Sequence, residues 1–375
     1  MSSLRHMEPE KTFLRPLLNK TLITFILSHC CTLLFSQEGE FPVNKLPEYD
    51  TTCYCTYQDR LVVGLFQASQ NYNMEIRQRS VSDPAGKSFI NYNADAASVN
   101  GFVFDYDKLN LSLTYKTLPQ LDSYKKGNTH SGGIGLNIGG NKWRLESNYR
   151  NYSWFYDLST ALYDTSYRSD KPYYQNASMN VSNIKFKFMY FLKHRKFSYQ
   201  SAYECNERQL KSALSPVLVA NLYINNLSAD SSFIPHFVRP FYGYNADVNG
   251  LKTVGYSAGG GVSGTLVIHK RFFLNGMAVL GLESQHSSYH HYSTDVTNRA
   301  TYVNWTGDFR VAFGFNNRNF FAIVNIINDF SNYHSAIFDM ATNFKSASLT
   351  VGYRFKVKEP KFMPKVRKTK IYQLF

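Results

Sequence analysis

Residues 347–355 read Ala-Ser-Leu-Thr-Val-Gly-Tyr-Arg-Phe and alternate apolar with polar or small side chains from end to end. Because successive side chains of a β-strand point to opposite faces, such a segment forms a strand with one apolar and one polar face. Segments 109–116, 143–150, 184–190 and 303–313 show the same period of two. The pattern predicts an all-β protein whose strands each separate two environments.

The composition narrows the class of protein without deciding it. Of the 375 residues, 16% are aromatic and 18% charged, and the mean hydropathy is −0.34. Soluble domains carry about 25% charged residues, whereas a helical membrane protein would be far more apolar. A barrel with an apolar outside and a polar inside fits these values, but so does a soluble all-β sandwich.

The connections between the alternating segments separate the two alternatives. Short connections lie at 107–108, 139–141, 193–196, 269–271 and 316–318, and long ones at 118–130, 152–177, 287–300 and 331–345. Short and long connections mostly alternate along the chain. Transmembrane barrels have this asymmetry, with tight periplasmic turns and long outer loops. The sequence therefore predicts an antiparallel up-and-down transmembrane β-barrel.

Counting the alternating segments gives about twelve strands, within a range of ten to fourteen, over residues 60–356. The segments are 60–69, 96–106, 109–117, 131–139, 142–151, 178–192, 196–206, 255–269, 272–285, 301–315, 318–330 and 346–356. An even number places both termini on the periplasmic side. Pro216–Asn225 and Asn73–Gln78 also read as strands, which either extend their neighbours or make the barrel fourteen-stranded.

The two ends of the chain carry different signals. Residues 1–36 resemble a signal peptide, since basic residues precede an apolar run of about 15 residues, shorter than the roughly 20 of a spanning helix. Residues 37–59 are expected to be a periplasmic lead-in. Residues 357–375 form a basic tail, which we interpret as solvated and periplasmic rather than as a nucleic-acid site. The expected location is the outer membrane of a Gram-negative cell.

Ten charged residues fall on the polar strand faces: Lys116, Arg144, Glu146, Arg150, Lys185, Lys187, Glu204, Asp308, Arg310 and Arg354. An Arg or Lys that faced lipid at mid-depth would cost about 2–4 kcal/mol, so these side chains are expected to face the lumen. They would form either an ion-pair network that largely fills a small barrel, or the lining of a passage for anions or polar solutes.

A catalytic alternative depends on one loose motif. Gly255-Tyr256-Ser257-Ala258-Gly259 fits the nucleophile elbow G-x-S-x-G, and His286, His290 and His291 follow. The elbow needs a strand, a sharp turn and a helix, but here a strand pattern continues to residue 268. An outer-membrane lipase or acyltransferase remains the alternative function. The sequence predicts no catalytic residue and no cofactor, and Cys53-x-Cys55 lacks a nearby His to complete a metal site.

Several motifs, in order along the chain, resemble one family. They are Tyr49-Asp50-Thr51, Gly86-Lys87-Ser88, Asn91-Tyr92-Asn93, residues 197–203, 206–209 and 211–213, His269-Lys270-Arg271-Phe272-Phe273 and 351–355. The chain thus resembles domain of unknown function 4421 over roughly residues 47–356. Tyr92-Asn93-Ala94-Asp95 departs from the Tyr-Arg-Pro-Asn expected there. The resemblance implies an outer-membrane barrel without an assigned activity, and its expected partners are outer-membrane lipids and the barrel-assembly machinery.

Overall fold

A computed structural model describes residues 49–370 and 372, apart from 58, 79–82, 84–85, 120–121, 295–296 and 335–337. The signal-peptide prediction for residues 1–36 lies outside these residues. Of the described residues, those from 49 to 358 belong to one compact unit, and those from 359 onward to another. In the second unit, the short helix α5 (Met363–Arg367) carries Arg367, whose guanidinium pairs with Glu359 at 2.7 Å.

Twelve antiparallel strands close into a barrel, which confirms the predicted fold class and strand number. They are β2 (Arg60–Gln78), β3 (Ile90–Tyr106), β4 (Leu109–Lys116), β5 (His130–Gly139), β6 (Trp143–Asp157), β7 (Tyr174–Phe191), β9 (Ala213–Ser228), β10 (Val248–Ile268), β11 (Phe272–His291), β12 (Thr297–Asn316), β13 (Phe320–His334) and β14 (Phe338–Lys356). Two short strands, β1 (Tyr54–Thr56) and β8 (Glu207–Gln209), form a separate two-stranded sheet that is not part of this ring.

The predicted strand at 196–206 is wrong. That segment contains the helical turn α3 (Gln200–Tyr203), and the missing barrel strand is β9, which includes the stretch Pro216–Asn225. Cys205 has a φ of 65°, a left-handed conformation that ends an extended run. The alternating Phe197 and Tyr199 that suggested a strand are fully buried instead of facing lipid.

The outer connections are shorter than predicted because several strands continue beyond the membrane. Ser287 pairs with Ala300, so much of the predicted loop 287–300 belongs to β11 and β12. The predicted loop 331–345 is likewise mostly β13 and β14, and residues 73–78 extend β2. Three one-turn helices lie in the other outer connections: α1 (Ser123–Lys126), α2 (Thr160–Tyr163) and α4 (Arg239–Tyr242).

Strand β12 shows the two faces of the wall. Val303 and Trp305 point outward and are 67% and 65% exposed, while Asp308 and Arg310 point inward and are buried. Apolar side chains exposed in this way recur on the outward face around the ring, for example Leu280 on β11 and Leu218 on β9. An apolar outer band over a polar interior is the arrangement of a barrel that spans lipid. Among the described residues, no helix is long and apolar enough to cross a membrane.

We expect the cost of an outward-facing charge to depend on depth. Val311 lies five residues from the periplasmic end of β12, whereas Val303 on the same face lies thirteen residues from it. Val311→Arg should lower the free energy of unfolding by about 2–4 kcal/mol, and Val303→Arg by about 0–1 kcal/mol. Denaturant unfolding of the protein in lipid vesicles measures both. Equal costs would contradict this placement of the membrane.

Candidate functional site

Residues 192–212, which we call the plug, connect β7 to β9 although these strands pair directly with each other. A tight turn would therefore have joined them. The plug instead contacts strands around the whole ring. Its hydrogen bonds run from Gln200 Nε2 to the Gly139 carbonyl (2.7 Å), from Asn206 Nδ2 to the Asp107 carbonyl (2.8 Å), from Tyr203 OH to Asn275 Oδ1 (2.7 Å), from Asn316 Nδ2 to the Ser201 carbonyl (3.0 Å) and from Arg354 Nε to the Cys205 carbonyl (2.5 Å).

The plug closes the end of the barrel at which the chain enters β2 and leaves β14, the periplasmic end in bacterial barrels. Residues just before β2 reinforce it, because β1 pairs with β8 of the plug. The Asp50 amide also donates to the Arg195 carbonyl, and the Leu210 amide to the Cys53 carbonyl, both at 2.7 Å. The plug and the segment before the barrel are thus one folded structure.

Ion pairs cross the middle of the bore. The Arg310 guanidinium on β12 donates to Glu146 on β6 at 2.9 Å and to Asp308 at 3.0 Å. Lys187 on β7 pairs with Asp308. In the ring, β6 and β7 lie nearly opposite β12 and are not its neighbours. These side chains therefore meet in the interior of the barrel.

The other charged residues singled out from the sequence lie around this network. Arg144 pairs with Glu204, and Glu204 belongs to the plug, directly after α3, not to a strand. Lys185 pairs with Asp329 on β13, a residue that the sequence analysis did not single out. Arg150 stacks on the Phe344 ring at 3.8 Å. The remaining two bind backbone carbonyls, Lys116 that of Thr129 and Arg354 that of Cys205 in the plug.

The network can form because most of its charges are compensated. Burying an ion costs several kcal/mol, which only good geometry and further hydrogen bonds recover. Glu146, for example, accepts from Arg310 and from the Tyr199 hydroxyl at 2.6 Å. Tyr199 comes from the plug, so the plug and the cross-bore ion pairs depend on each other.

The outer end of the bore is filled by apolar side chains. The connection 229–247, which we call the cap, buries Phe233, Ile234, Val238 and Tyr242 in a cluster with inward residues of the upper strands. The Tyr242 hydroxyl donates to the Ser88 carbonyl at 2.7 Å. The sequence analysis missed the cap. Its signal was an apolar and aromatic composition in a connection where polar residues are the rule.

The described interior between the plug and the cap contains cavities, two of which share lining residues. The larger one, which we call the central cavity, has a volume of about 160 Å³ and lies against Tyr199, Tyr203 and Glu204 of the plug. A smaller one of about 50 Å³ lies against Tyr72, Tyr152 and Phe344. Arg150, Lys185 and Asp329 line both cavities.

The residues of the lipase alternative do not come together. Gly255–Gly259 lies inside β10, so the motif is not an elbow. Ser257 is buried on the inward face, where its hydroxyl accepts from Asn221 at 2.8 Å, whereas His286 is exposed on the outward face beside Tyr256. His291 contacts Asp247 at the outer rim. In the described part of the chain, no group of His, Cys, Asp or Glu could hold a metal ion.

A closed barrel with an apolar outer band and a packed polar interior defines a transmembrane β-barrel protein of the outer membrane. The model of the family "Domain of unknown function (DUF4421)" matches residues 48–355, and the chain belongs to this family. No curated protein matches the sequence.

Several solved structures are similar to the chain at low identity. The outer membrane protease OmpT from Escherichia coli is 9% identical, with a TM-score of 0.38 over 80% of this chain and 98% of that one. The translocator domain of autotransporter NalP from Neisseria meningitidis is 9% identical, with a TM-score of 0.31 over 90% and 96%. An outer membrane channel from Pseudomonas putida F1 is 11% identical, with a TM-score of 0.30 over 85% and 100%.

Removing the central cation of the network should destabilise the barrel strongly. In Arg310→Met, two buried carboxylates lose their shared partner, which should cost about 3–5 kcal/mol of unfolding free energy. Lys252→Met removes an exposed cation from β10 and should change the free energy of unfolding by no more than about 0.5 kcal/mol. Denaturant unfolding compares the two variants. Similar small effects would show that the network does not support the fold.

The plug also contains a carboxyl group with a displaced pKa. Burial raises the pKa of Glu207 from 4.5 to about 7, and hydrogen bonds from Ser198 and Asn141 oppose the shift only in part. The folded state therefore keeps a proton that the unfolded state releases at lower pH. The contribution of Glu207 to stability falls as the pH rises from 4.5 to about 7 and is constant above that.

Glu207→Gln should remove this dependence, because the amide does not ionise. We expect the variant to match the wild type at low pH, below the unfolded-state pKa, and to be more stable than the wild type above the folded-state pKa. Denaturant unfolding of both proteins across this pH range measures the difference. A difference that is the same at every pH would show that folding does not raise the pKa of Glu207.

Proposed function

We propose that the protein is a closed, structural barrel of the outer membrane that presents its long outer strands and connections and does not pass solutes freely. The observation that carries the proposal is the plug, which is hydrogen-bonded to the wall on all sides. A barrel built for passive passage has no need to return 21 residues (192–212) into its own bore between two strands that already pair.

Two further features support a closed barrel. The cross-bore pairs of Glu146, Lys187, Asp308 and Arg310 occupy the middle of the lumen with buried side chains. The cap fills the outer end with apolar side chains. Selective passage of anions would need free cations along an open path, but three of the lumen cations, Arg310, Lys187 and Lys185, are held by carboxylates.

Conductance in planar bilayers tests the proposal. The wild-type protein should show no stable open-channel conductance. A variant in which residues 194–211 are replaced by a tight turn should conduct, because β7 and β9 can pair without them and the periplasmic end would open. Heat-modifiable migration on gels identifies the folded form of each protein before the measurement.

Shortening an outer connection is the matched control. A deletion of residues 165–172, between α2 and β7, removes a solvent-exposed segment and should leave the barrel closed. A wild-type conductance as large and as stable as that of the plug variant would overturn the proposal and favour passive passage.

A further inference from the structure

The central cavity is lined by polar groups that lack partners. Within the described residues, the Arg150 guanidinium forms no hydrogen bond and no ion pair, and it stacks on the Phe344 ring at 3.8 Å. Three buried oxygen atoms likewise have no hydrogen-bond partner: Glu204 Oε2, Asn137 Oδ1 and Asn325 Oδ1. All four polar residues line the same cavity. A cation and several acceptors therefore line one cavity without satisfying one another.

For Asn137 and Glu204, the neighbouring hydrogen bonds show that the free atom is an acceptor oxygen. Asn137 Nδ2 donates to Glu204 Oε1 at 3.1 Å and to Asn110 Oδ1 at 3.3 Å. Turning the amide over would place its oxygen against both acceptors, so Oδ1 is the atom left free. Glu204 is 4% exposed, and its other oxygen is already paired with Arg144. An unpartnered buried acceptor destabilises the folded state, and a bound donor would recover that loss.

The charges around the cavity indicate that the ligand also carries a negative charge. Lys185 is paired with Asp329, Lys187 with Asp308, and Arg310 with both Glu146 and Asp308. Arg144 compensates Glu204. Arg150 is therefore the lining cation left without a counter-charge in the described part of the barrel. A planar guanidinium recognises a carboxylate through two parallel hydrogen bonds.

The size of the cavity limits the ligand. Its volume is about 160 Å³, and an engineered cavity of about 150 Å³ holds one benzene molecule, which has six heavy atoms. A three-carbon acid with one further polar group is of this size. Larger solutes, such as oligosaccharides or lipids, do not fit.

We propose that the central cavity binds a small monocarboxylate that also carries a hydrogen-bond donor, a 2-hydroxy acid or a 2-amino acid. The carboxylate pairs with Arg150. An ammonium group donates to the free oxygens of Glu204, Asn137 and Asn325, or a hydroxyl donates to one of them. The ligand is held between the plug and the cap. The inference goes beyond the closed-barrel proposal, and binding is measured in detergent, where the conductance of the barrel has no influence.

Lactate, alanine, propionate and ethanolamine form a matched set of probes. Lactate and alanine carry both groups, propionate only the carboxylate, and ethanolamine only donors and no carboxylate. The full-length protein is refolded in detergent with each probe at matched ionic strength, so that the plug and cap close around it. The midpoint of thermal unfolding, measured against probe concentration, then reports binding to the folded state.

We expect lactate or alanine to bind at least about tenfold more tightly than propionate and ethanolamine, a factor that corresponds to one well-placed hydrogen bond or charge. A preference for alanine over lactate would assign the donor to an ammonium group, and the reverse would assign it to a hydroxyl. Propionate binding as tightly as both, or no stabilisation by any probe, would overturn the proposal.

Three variants locate the site. Arg150→Gln breaks no ion pair in the structure and should weaken lactate or alanine binding at least about tenfold. Asn325→Leu should reduce the preference for these probes over propionate. Asn343→Leu is the control, because Asn343 also has an unpartnered oxygen but does not line the cavity. Unchanged binding in both Arg150→Gln and Asn325→Leu would place any bound probe elsewhere and reject the site.

Discussion

The whole structure depends on the pairing of β14 with β2. Lipid offers no hydrogen-bond partner to a backbone amide, so a sheet that spans a membrane must have no free edge. The first and last strands of the ring meet this requirement over their full length, from Lys356 opposite Arg60 to Phe338 opposite Gln78. Every other feature of the protein is a consequence of this closed wall, because the wall creates an interior that has to be filled.

The interior is filled in three layers of different chemistry. The plug brings backbone groups and amides to the periplasmic end, ion pairs join opposite walls in the middle, and the cap places aromatic and aliphatic side chains at the outer end. The middle layer needs the other two. Buried ion pairs are only weakly stabilising by themselves, and Tyr199 and Glu204 of the plug provide hydrogen bonds and charge that the strands alone do not supply.

The sequence reveals the wall of the barrel much better than its contents. Alternation depends only on which face of a strand meets lipid, so it predicted the fold and the number of strands from local pattern. No such local pattern in the sequence identifies the plug. Phe197, Tyr199 and Tyr203 alternate with smaller residues as they would in a strand, and only the pairing of β7 with β9 shows that no strand fits between them. The cross-bore partners are also hidden from local pattern, since Glu146 and Arg310 are 164 residues apart.

Strand β2 shows why the cap escaped notice. Even-numbered residues point inward along its length, whereas the outward, odd-numbered face changes from apolar to polar. Near the periplasmic end the outward Leu65 is apolar and 59% exposed. Farther up, the outward Glu75 is charged and lies between Met74 and Ile76, which point inward and are fully buried. The change falls around residues 66–70, after about nine residues, the number a tilted strand needs to cross a bilayer. Below this point the outward face contacts lipid. Above it water surrounds the wall, so the outward side chains are polar, and the cap covers the apolar side chains that point inward. The point at which the outward face of a strand becomes polar therefore marks the membrane surface, and apolar inward residues beyond that point indicate an apolar filling above it.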